Sequence, residues 1–173
     1  MHYLCPNQIF VSMKKLLPFI FLMGCIATAI VSCQKQRSNS EWLRLADEQV
    51  YKDVDSLKTL LSYVKRPLEL KGEERLLYGW LLGYQHYCKD ASMVEDSLVV
   101  PAADAYINSS DTARKFMSYQ LKADYLKWIG KPHEALAVLD EGTRLAEQMK
   151  DTLWIKELQV RAGRIYCFVL KDY

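Results

Sequence analysis

The chain has 173 residues, half of them apolar, which leaves room for one domain or for one domain behind a targeting segment. Only 7 Gly and 5 Pro stand among abundant Leu, Ala, Lys, Glu and Tyr, a composition that predicts helix and excludes a disordered chain. The formal charge of +2 rests on Lys14 and Lys15; setting them aside leaves 21 basic residues against 21 acidic ones, a balance that gives no sign of a nucleic-acid surface.

From Met13 the chain reads as two lysines, an apolar run from Leu16 to Val31, then Ser32 and Cys33. This is the layout of a secretory signal, and the run is shorter than the roughly 20 residues that a membrane-spanning helix needs. Residues 1–32 are therefore read as a signal peptide, with Met13 as the true start. An uncleaved anchor helix is the alternative, and both readings place the rest of the chain outside the cytoplasm. Ile30-Val31-Ser32-Cys33 resembles a bacterial lipobox. The resemblance implies cleavage before Cys33, lipidation of that cysteine and anchorage to the outer membrane, with the periplasmic and surface faces both open. Residues 33–40 become the lipidated cysteine and a polar tether. Cys5 and Cys25 leave with the signal, and Cys88 and Cys167 are expected to be unbridged, buried small side chains.

Leu43, Ala46, Val50, Val54, Leu57, Leu61 and Val64 trace one face of a long helix, opened by Ser38-x-x-Glu41 as a capping box and closed before Pro67. It is expected to cap the helices C-terminal to it. Glu73 to Cys88 reads as an inner helix and roughly Glu95 to Asn108 as its outer partner. Pro101 fits if that partner starts near Ser97; otherwise it kinks the helix.

Tyr119, Ala123, Leu126 and Gly130 share one helical face while Leu121, Tyr125 and Trp128 form a second stripe, so this helix is covered on two sides. Gly130-Lys131-Pro132 ends it and starts the next, whose apolar face carries Ala135, Val138, Leu139, Gly142, Leu145, Ala146 and Met149. Asp111 and Asp151 are placed as N-caps. The pair Asp111-Thr112 returns as Asp151-Thr152, Gly83 as Ala123 and Gly163, and Ala102 as Gly142, so the unit is about 40 residues.

Ala123, Leu126, Gly130, Ala135, Leu139 and Gly142, with Gly163 and Tyr166 in the last unit, make the chain resemble the tetratricopeptide repeat, in the longer-helix form of envelope proteins from Bacteroides-like bacteria. The resemblance implies an all-α, right-handed solenoid over residues 41–173, with about two and a half repeats of 40 residues and an N-terminal capping helix. It implies a concave groove lined by Trp80, Tyr84 and Tyr87, by Gln120, Asp124 and Lys127, and by Val160 and Arg164, open to a protein or peptide partner. Residues Leu153, Ile155, Val160, Ile165, Phe168 and Val169 lack an outer helix, so the chain is read as truncated, or as completed by another chain in an oligomer.

His2, His86 and His133 are scattered, and there is no glycine-rich phosphate loop, CxxC or nucleophile elbow. No enzyme activity, metal or cofactor is expected. The function implied is a lipid-anchored adaptor that binds other proteins. The alternative is the extracytoplasmic sensory fragment of a longer regulator or signalling protein.

Overall fold

The computed structural model describes residues 37–170, which hold seven α-helices and no strand. Residues 1–36, which include the expected signal segment and Cys33, and the last three residues lie outside the described residues.

Helix α1 (Asn39–Gln49) starts where Ser38 Oγ accepts a hydrogen bond from the Glu41 amide at 3.2 Å. The single long capping helix expected from the apolar spacing is instead two. The break falls at Asp53, whose carboxylate accepts from the Asp55 amide at 3.0 Å and from Ser56 Oγ at 2.6 Å and so opens α2 (Val54–Ser62). Reversal at this cap brings Leu43 and Ala46 of α1 into one core with Leu57 and Leu61 of α2. A straight helix would have kept them apart.

A short 3-10 turn (Pro67–Glu69) leads to α3 (Gly72–Cys88). Helix α4 (Val99–Ile107) holds Pro101 at its third position, where no intrahelical N–H is missed. Asp111 and Asp151 cap α5 (Thr112–Trp128) and α7 (Thr152–Ile165), accepting from Arg114 N at 3.1 Å and Trp154 N at 3.2 Å. Between them runs α6 (Pro132–Gln148), and α7 passes into a wider π-type turn, Tyr166–Leu170. Helices α3, α5 and α6 end alike. Asp90, Gly130 and Lys150 adopt φ of 46°, 77° and 57°, and the next amides, of Ala91, Lys131 and Asp151, return to the carbonyls of His86, Leu126 and Ala146.

Each helix packs on the one that follows it, and α1 also touches α3, α3 touches α5 and α5 touches α7. The odd-numbered helices therefore form one layer, with α2, α4 and α6 against it. Close approach depends on small residues. A Cβ on Gly79 would stand 2.3 Å from the Leu98 carbonyl oxygen, one on Gly83 2.8 Å from Val99 Cγ1, and one on Gly142 2.8 Å from the Tyr119 ring. One core cluster gathers Leu57, Trp80, Leu81 and Leu121, and a second gathers Phe116, Tyr119, Leu139 and Leu158; Trp154 packs against both. No helix among the described residues is long and apolar enough to cross a membrane.

Candidate binding face

The layer of odd helices positions every residue expected to line a groove, and the 40-residue register sorts them. Trp80, Gln120 and Val160 occupy equivalent positions on α3, α5 and α7, yet they are 0%, 1% and 56% exposed. Trp80 is covered from α5, where Ser118 Oγ accepts its indole N–H at 2.9 Å and Arg114 lies 5.3 Å from its ring centroid. Gln120 is buried as well, and among the described residues its amide nitrogen and oxygen meet no hydrogen-bonding group. Asp124, one turn further along α5, is buried as well. These three positions are interior, which corrects the expectation that they face a partner. Tyr84 is also buried, between a stacked Trp80 and the edge of Tyr51.

Tyr87, Asp124, Lys127 and Arg164 do come together, around a residue that the repeat pattern does not single out. Arg161 of α7 forms a two-pronged pair with Asp124, its Nε donating to Oδ1 at 2.8 Å and Nη2 to Oδ2, and its guanidinium carbon lies 4.6 Å from the Tyr87 ring centroid. Lys127 Nζ stands 3.5 Å from both Asp124 and Asp90. Burial presses the Arg161 pKa below its ordinary value, with Arg164 adding to the effect while Tyr87 and Asp90 oppose it. A guanidinium nevertheless holds its proton far above neutral pH, so the group pairs with Asp124 as a cation. Burial likewise raises the Tyr87 pKa, Arg161 opposing and Glu157 adding. The equivalents of Arg161 are Leu81 and Leu121, both fully buried, so an arginine at this position carries its charge into the interior and demands a buried acid.

A second polar cluster ties α1 to α5. Arg114 lies between the rings of Trp80 and Tyr106, 5.3 and 5.5 Å from their centroids, and pairs with Asp47 and, at 3.4 Å, with Asp111. It borders a cleft of about 630 Å³ that also presents Arg44, Glu73 and Glu74. Its cation is already neutralised by two carboxylates. His86 Nε2 lies 2.7 Å from Asp96 on the loop before α4. Among the described residues, no three His, Cys, Asp or Glu side chains gather as a metal site would require. Cys88 and Cys167 are free and exposed, which corrects their expected burial; Cys88 is the last residue of α3 and Cys167 lies in the turn that follows α7.

What remains open to a partner is α7. No helix follows it among the described residues, and Val160 and Arg164 are exposed at positions that are buried on α3 and α5, with Leu153 exposed beside them. Among the described residues, Gly163, in register with the tightly packed Gly83, has no neighbouring atom within 4 Å of the point where a Cβ would stand. Compared with protein-family models, with curated proteins and with solved structures, the chain matches none.

Proposed function

We propose that the chain is a non-catalytic protein-binding module: a tetratricopeptide-like stack of helical hairpins, held at the bacterial envelope by lipid on Cys33, whose docking surface is the uncovered side of α7. The observation that carries this reading is the contrast between Val160, which is exposed, and its equivalents Trp80 and Gln120, which are both buried. Repeats of this kind bury their faces only by stacking on a neighbour, so an open position in an otherwise filled series favours a helical partner.

The test is a photo-reactive amino acid placed at Val160 in cells, with Lys58 on the exposed side of α2 as control. A discrete protein adduct from position 160 and none from 58 is expected; equal, diffuse labelling from both sinks the reading. Anchorage is tested separately by metabolic labelling with a fatty acid, which Cys33→Ala should abolish.

A second reading is favoured by Gly163. Its open register is also where a further hairpin would pack, as in the sensory part of a longer regulator. Sequencing the coding DNA beyond the Tyr173 codon distinguishes the two, since further repeats in frame would replace the adaptor reading.

A further inference from the structure

Five exposed residues, Leu153, Glu157, Val160, Arg164 and Cys167, run along the open side of α7 and its continuation, separated by steps of four, three, four and three. Alternating steps of this kind return to the same side of a helix and make one seam. The order is apolar, acidic, apolar, basic, apolar, and it is matched about its centre. Glu157 and Arg164 are seven residues apart, beyond the reach of neighbouring turns, and neither forms an ion pair among the described residues.

We propose that this seam pairs two copies of the chain through antiparallel α7 helices about a two-fold axis at Val160. In that arrangement Val160 meets Val160 of the other copy, Glu157 meets Arg164, and Leu153 meets Cys167, each heterologous contact occurring twice as two-fold symmetry requires. A parallel pair would set Glu157 against Glu157 and Arg164 against Arg164, so the charges select the antiparallel direction. Gly163, beside the seam and without a side chain, lets the second helix come close. Phe168, 79% exposed on the other flank, is the apolar group most in need of cover. The proposal rests on the reading of α7 as a docking surface and names its occupant as a second copy.

The test uses the full chain in mild detergent. Analytical ultracentrifugation should give twice the chain mass for the natural protein, the single mass for E157R and for R164E, and twice the mass again for E157R/R164E, where the charges are exchanged. Circular dichroism of the four proteins should coincide, because both side chains are exposed. Independently, Leu153→Cys under mild oxidation should give a covalent pair whose peptides map to a 153–167 link. A single mass for the natural protein at all concentrations overturns the proposal, as does a Cys167–Cys167 link, which an antiparallel pair cannot form. If the photo-reactive group at Val160 then captures a different protein, the proposed function stands without the self-pairing; if it captures nothing, both fall.

Discussion

Arg161 reaches past α5 to lie over the ring of Tyr87, 4.6 Å from its centroid, so that one side chain joins α3, α5 and α7. The pairing with Asp124 on the way is buried on both sides, with side-chain exposures of 9% and 1%. Removing one partner leaves the other charge inside the protein. Arg161→Met is therefore expected to cost about 3–5 kcal/mol, and the double variant D124L/R161M to recover most of that loss, since a buried pair replaced by apolar groups is close to neutral. Urea unfolding of the three proteins decides it; a double variant no more stable than Arg161→Met would contradict the argument.

The glycines at equivalent positions on α3 and α7 should respond to the same change with opposite signs. Gly83→Ala pushes a methyl to within 2.8 Å of Val99 and should destabilise by about 1–3 kcal/mol. Gly163→Ala meets nothing and should stabilise by about 0.5–1 kcal/mol through helix propensity alone. Thermal unfolding, followed by circular dichroism, should show the two midpoints moving apart from that of the natural protein.

Ser118 is expected to matter through Trp80. Its hydroxyl accepts the buried indole N–H and donates to the Arg114 carbonyl at 2.7 Å. Ser118→Ala strands that N–H and should cost about 1–3 kcal/mol, whereas Trp80→Phe/Ser118→Ala, which removes both polar groups, should lose less than the two single changes combined. A double-mutant cycle in denaturant measures the coupling.

At high pH the tyrosines set the limit. The pKa of Tyr51 is pushed up to about 12, first by burial and then by Asp111 and Asp47, with Arg114 opposing. In the unfolded chain a tyrosine ionises near 10. The folded form thus holds a proton that the unfolded form has released, so stability is full below about 10 and falls as pH rises toward 12. Burial raises Tyr78, Tyr84, Tyr87 and Tyr119 in the same direction. Tyrosinate absorbance should lag behind that of free tyrosine, and Tyr51→Phe should flatten part of the alkaline loss. An unchanged profile in that variant would assign the loss to the other four.

Much of the local structure was legible in the sequence because it is written in caps and turns. Asp111, Asp151 and Ser38 open helices as their positions predict, and Gly130 closes one. The division of α1 from α2 was not, because the apolar spacing runs unbroken through Val50 and Val54 while the signal for reversal is a single side chain, Asp53. Trp80, Gln120 and Asp124 are interior for a different reason. Periodicity states that Trp80 and Gln120 share a face, but whether that face meets solvent or the next helix depends on the packing of α3, α5 and α7, which no local pattern encodes. Arg161 was missed because a lone arginine on a helix reads as solvated until its partner, 37 residues away, is placed beside it.

The covering of Trp80 by Ser118 and Arg114 of α5, and of Asp124 by Arg161 of α7, gives the row of helices a direction. Each odd helix is sealed by its successor, and α7 has none among the described residues, so protection from exchange with deuterated water should decline along the chain, with amides of α7 opening first and those around Trp80 last. Any molecule that seats on Val160 would reverse that order locally, slowing exchange in α7 before anywhere else, so the position of the first protected amide would mark the docking surface without the partner being known.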